Sequence, residues 1–129
     1  MGKITGYLVD VEHRTAGPVT IEKTLESYYK ILNCDCIDIA RRVIGSDKRE
    51  YEIICDDEAL LKDSVKISAF TASVDAMLCG NLFVVKFDGV DDVTSLSEDD
   101  IVYLKRYTNW FETSLFPKPH PALVCVEYK

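Results

Sequence analysis

The chain has 129 residues, 47% of them hydrophobic, and a formal net charge of −7. That length and composition describe one globular domain and exclude a disordered or fibrous chain. No apolar run approaches the ~20 residues of a membrane helix, and the acidic balance opposes direct contact with a nucleic-acid backbone.

The first residues, Met1-Gly2-Lys3-Ile4-Thr5, carry no apolar stretch of the secretory kind. The five cysteines, Cys34, Cys36, Cys55, Cys79 and Cys125, are odd in number, and most stand among apolar neighbours. They read as reduced thiols of an intracellular protein. Cys34 and Cys36 are the one close pair, with a spacing unlike common zinc or redox sites, so neither metal nor cofactor is expected.

Ile4 to Val11 alternates as a strand, Ala16-Gly17-Pro18 reads as a turn, and Val19 to Glu22 as the returning strand. Thr24 then caps a helix with apolar groups at Leu25, Tyr28, Tyr29 and Leu32, and Asn33 stops it. Cys36–Ile44 and Arg49–Cys55 form a second hairpin around Gly45-Ser46-Asp47-Lys48. Its inward face is expected to carry Ile37, Ile39, Val43, Tyr51, Ile53 and Cys55.

Asp56-Asp57-Glu58 ends that strand, Ala59–Lys62 suits a helical turn, and Ser68–Leu78 reads as a loop with a turn of helix. Leu82–Phe87 is a strand with Phe83, Val85 and Phe87 on one side. Ser97 and Asp100 make a capping arrangement for a second helix through Ile101, Leu104, Thr108 and Phe111. Pro117, Pro119 and Pro121 form a stiff connector before a last strand, Ala122–Tyr128, placed at a sheet edge or against a second subunit. The sum is an α+β fold, a β-grasp-like mixed sheet with two helices in a single domain. Residues 1–112 form the core, and 113–129 the connector and final strand.

The signatures of common catalysts are missing: there is no Gly-x-Ser-x-Gly elbow, His-Glu-x-x-His or phosphate-binding loop. His13 and His120 both fall in turn or connector sequence. No enzyme is expected. Arg41 carries the most information, because strand periodicity puts it on the face of Ile37, Ile39 and Val43. Such an arginine either forms an internal salt bridge or lines an anion pocket. The pocket reading joins Arg41 to Lys48 and Asn81 as ligand-binding residues.

From Asp88 to Asp100 there are six acids and no base. Glu98, Asp99 and Asp100 suit a helix start. The pairs Asp56-Asp57 and Asp91-Asp92 read as solvated turn acids, or as charge offered to a basic partner. Trp110 is the aromatic candidate for an interface anchor.

Three segments carry a family likeness: Val19–Leu25, Glu52–Lys62, and Cys79–Val85 with Leu96–Asp100 beyond it. Through them, from about Lys3 to Thr108, the chain resembles uncharacterised small domains encoded by bacterial phages and conjugative elements. The resemblance implies a mobile-element protein in the bacterial host cytoplasm. Families of this kind often counter host defences; some members are linked with anti-CRISPR inhibition of a nuclease, and other small phage proteins sequester nucleotide immune messengers.

Three functions follow as expectations. The first is an anti-defence inhibitor whose partner is a host defence protein such as a CRISPR nuclease. The second is a sponge for a small nucleotide messenger, closed by a homo-oligomer. The third is an accessory interaction protein for the element's replication or transfer. None of the three needs a membrane.

Overall fold

The computed structural model describes residues 2–57, 67–71, 76–87, 93–111 and 120–126. β1 (Lys3–Asp10) and β2 (Thr15–Glu22) make the first hairpin, followed by α1 (Leu25–Leu32). β3 (Ile37–Ile44) and β4 (Arg49–Asp56) make the second. Then come β5 (Ile67–Thr71), β6 (Ala76–Cys79), β7 (Leu82–Phe87) and β8 (Val93–Thr94). α2 (Glu98–Arg106), β9 (Thr108–Phe111) and β10 (His120–Val126) complete the described chain.

The described strands join in one sheet, ordered β2-β1-β7-β4-β3-β10-β5-β6, with β8 beside β7 and β9 beside β10. β10 and β5 run parallel, while the neighbouring pairs β10/β3 and β5/β6 are antiparallel. The protein is thus a single α+β domain, with two helices among the described residues and a mixed, mostly antiparallel sheet.

Local chemistry explains the elements that the sequence predicts. The Thr24 hydroxyl accepts the Ser27 N–H, and Asn33 closes α1 in the left-handed conformation at φ 52°. Ser97 and Asp100 form a reciprocal capping box at α2. Gly45 opens the β3–β4 turn at φ 76°, where a side chain would also meet Tyr103 and Tyr107.

Five expectations change. The β3–β4 hairpin does not turn its expected inward residues to one face: Ile39 pairs with Ile54, and Ile37 and Ile54 pack with α1, whereas Tyr51, Ile53 and Cys55 pack with α2. The first turn is Val11–Arg14, not Ala16–Pro18, because Asp10 accepts the Glu12 and His13 N–H groups at 3.1 and 2.9 Å. Gly17 and Pro18 instead lie on β2, an end strand of the sheet order, where a proline is tolerated. Within Ser68–Leu78, expected to be a loop, lie most of β5 and β6, with 72–75 outside the described residues. Short apolar runs do not separate strand from other states by periodicity.

The second helix stops at Arg106, so Thr108 and Phe111 do not continue it. The aromatic and β-branched stretch after Tyr107 pairs with β10, from Thr108 opposite Leu123 to Phe111 opposite His120. Finally, β10 is not at an edge; it lies between β3 and β5 in the sheet order. The helical turn expected at Ala59–Lys62 falls outside the described residues.

Each helix covers one face. Tyr103 and Leu104 of α2 pack with Tyr7, Val9, Ile53 and Val84. Tyr28 and Leu32 of α1 pack on the other side with Ile4, Ile54, Phe83 and Val85. From Tyr51 to Asp56, every β4 residue is buried, as is Leu82–Val85 of β7.

β1 and β7 approach closely at Gly6. A Cβ there would stand 2.6 Å from the Phe83 ring and 2.7 Å from the Val84 carbonyl oxygen. Beyond Gly6 the segment after β8 holds β1. The Thr5 N–H donates to Ser95 Oγ, and the Leu96 N–H to the Thr5 carbonyl, both at 2.9 Å. Gly6→Ala is expected to lower stability by ~1–3 kcal/mol through overpacking. Gly17→Ala, where nothing lies within 4 Å of the added carbon, serves as the control and is expected to change it by less than ~0.5 kcal/mol. Urea unfolding midpoints of the two variants check this.

Candidate binding face

The eight residues of α1 span only ~12 Å of helix axis. They shelter one end of their sheet face and leave the other open. Strand register fixes what is left in view. Ile39 pairs with Ile54, which pairs with Phe83; one step on, Arg41 pairs with Glu52, which pairs with Val85. Ile39 is 50% exposed and Phe87 40%. A cavity of about 350 Å³ opens here with Ile39, Ile54, Phe87 and Val93 as its apolar surface. Lys23, Tyr28 and Glu52 supply its polar groups.

Glu52 is buried, so its charge needs an answering cation. Arg41 provides it, donating from Nε to Glu52 Oε1 at 2.8 Å with Glu50 Oε1 at 3.2 Å. The Arg41 guanidinium also lies 5.1 Å from the Phe87 ring centre. One cation thus serves two carboxylates and packs on one wall of the cavity. This corresponds to the salt-bridge alternative for Arg41, in a position that also borders an open site.

The other two expected ligand residues do not join it. Lys48 is in the β3–β4 turn at φ 53°. Asn81 is buried ahead of β7, where its side-chain oxygen accepts the Val11 N–H at 3.0 Å. Those two positions flank opposite ends of β4, since Lys48 precedes Arg49 and Leu82 pairs with Cys55. Asp56 is buried at the end of β4, and Asp57 is exposed in the turn behind it. Trp110 is 51% exposed on β9 and does not line the cavity. Asp91 and Asp92 lie outside the described residues.

The opposite face is closed by a polar cluster at the start of α2. Asp100 is buried and accepts from Tyr51 Oη at 2.9 Å, Ser97 Oγ at 2.8 Å and Ser97 N–H at 3.0 Å. Lys86 Nζ stands 2.8 Å away, and Arg49 bridges Asp99 at 2.9 Å while lying over the Tyr103 ring. Burial alone would raise the Asp100 pKa, but the bonds from Lys86, Ser97 and Tyr51 outweigh it and hold the carboxyl at about 2. Burial, then the bond to Asp100, pushes the Tyr51 phenol up. Burial followed by the Asp38 charge pushes the Cys55 thiol up to about 11, so it is inert at neutral pH.

Sequence reasoning found the capping role of Asp100 but missed Lys86 and Tyr51, its partners on β7 and β4. The available signal was a lysine interrupting the apolar run Leu82–Phe87. Glu52 was missed in the same way, as a carboxylate between Tyr51 and Ile53 in a buried strand. Among the described residues, no three His, Cys, Asp or Glu side chains are grouped to hold a metal ion. No described helix is long and apolar enough to cross a membrane.

These features define a small α+β domain with one closed and one partly open sheet face. The chain belongs to the family described as a domain of unknown function, DUF3846, whose model matches residues 4–112. No curated protein and no solved structure matches it. The family match ends before β10, although that strand pairs with β3, β5 and β9.

The lowered Asp100 pKa sets a pH dependence. Its contribution is fully present above the unfolded value of 3.8 and is lost as pH falls towards 2. Between pH 5 and 2, the unchanged chain is expected to lose about 2 kcal/mol more stability than Asp100→Asn loses. Urea titrations of both proteins at several pH values measure the difference.

Proposed function

We propose that this protein works by binding and not by catalysis. In this reading it is an anti-defence protein of a phage or other mobile element, acting in the cytoplasm of a bacterial host. Its target is a host immune protein that holds nucleic acid in a basic channel, such as a CRISPR nuclease.

The observation that carries the proposal is a half-exposed apolar surface, Ile39 and Phe87, on a chain of net charge −7. Apolar contact supplies the seat for a protein partner. The acidic field steers the chain towards a basic channel and disfavours nucleic acid itself. Arg41 and Lys86 are paired with Glu52 and Asp100, so each cation is offset by a carboxylate. Acids outnumber Lys and Arg by 22 to 15 over the chain.

Within one chain Arg41, Lys48 and Asn81 lie apart, which favours the protein-partner reading over the nucleotide sponge. The proposal is tested by DNA cleavage with guide-loaded CRISPR nucleases of a host. At low salt, a severalfold molar excess of the protein is expected to slow cleavage by at least about tenfold, and ~0.5 M salt to restore it. Undiminished cleavage at low salt by every nuclease tried would remove the CRISPR target.

A further inference from the structure

Resting on the protein-partner reading above, we infer that the cavity beside α1 receives a single uncharged anchor, aromatic or aliphatic, from a partner segment whose flanking residues are basic. Two levels of charge lead to this occupant. Among the described residues around the cavity, two cations, Arg41 and Lys23, stand with two carboxylates, Glu50 and Glu52. A charged group entering this local setting gains no net attraction and loses its hydration. An apolar group gains from covering Ile39 and Phe87, which already stand half in view.

At longer range the balance disappears. The chain carries −7, and Glu50 is 49% exposed at the rim. Residues beside the anchor therefore experience a negative field, and lysine or arginine suits those places. The size of the cavity agrees with this division. About 350 Å³ is at the small end of ligand pockets, roomy enough for one large side chain and not for a folded element. The Glu52–Arg41 bond holds the wall beneath, since Arg41 packs on Phe87 and spans to β4.

The test uses three short amidated peptides, each added to the ¹⁵N-labelled protein at low salt. They are Lys-Arg-Trp-Lys-Arg, Lys-Arg-Ala-Lys-Arg and Glu-Glu-Trp-Glu-Glu. The first is expected to shift the amides of Ile39, Glu52 and Phe87, with an affinity about tenfold above either of the others. Ile39→Asp, a change at a half-exposed position, is expected to abolish those shifts and leave the remaining spectrum intact.

Equal binding of the alanine peptide would overturn the anchor. Shifts centred on Trp110, or none at all, would overturn the site. So would stronger shifts of the same amides by cyclic di-AMP, or broadening of them with protein concentration alone, which would signal a second copy. A protein that binds the tryptophan peptide here but leaves nucleases active keeps this inference and loses the nuclease target. Inhibition of a nuclease with no shift at this face does the reverse.

Discussion

The two described helices, of eight and nine residues, lie on the two faces of a sheet whose strands β1, β3 and β4 are eight residues long. Eight residues span ~12 Å as helix but ~27 Å as strand. Each described helix therefore covers only part of its face for a geometric reason, and the burial pattern of the described strands reflects it. β4 and β7 take the sheltered positions, so their side chains are buried on both faces. On the α1 side the shelter ends near Tyr28, and Ile39 and Phe87 remain partly in solvent.

The two faces solve the same electrostatic difficulty differently. Each buries a carboxylate, Asp100 on one and Glu52 on the other. Asp100 has donors from Lys86, Tyr51 and Ser97 at the start of its own helix. Glu52 is answered by Arg41, whose side chain is 46% exposed and reaches it from the neighbouring strand β3. A buried acid whose counter-ion stands at the surface marks a face that is stable yet accessible. That contrast is why the proposed binding surface is put on the α1 side.

Local chemistry was legible in the sequence. Thr24 and Asn33 delimit α1 by themselves, Ser97 and Asp100 start α2, and Gly45 turns the second hairpin. Features that depend on distant partners were not. Thr108–Phe111 continues the helical spacing of α2, yet pairing with β10 makes it a strand. The place of β10 beside β3 rests on contacts across some eighty residues, as between Ile44 and Cys125. Ile39 fits the inward period of β3 and is still half exposed, because periodicity reports the face and not whether a helix reaches it. Strand periodicity singled out Arg41, which the structure pairs with Glu52 and Glu50. Its convergence with Lys48 and Asn81 was not real, since residue type alone does not set distance.

The central claim is that the open half of the α1 face is the functional surface. Hydrogen exchange of the protein, alone and with a guide-loaded nuclease that it inhibits, tests this directly. The account predicts that added protection falls on the segments containing Ile39–Arg41 and Phe87, with α2 unchanged. Protection centred on α2 or on Trp110, with Ile39–Arg41 and Phe87 exchanging as before, would contradict it.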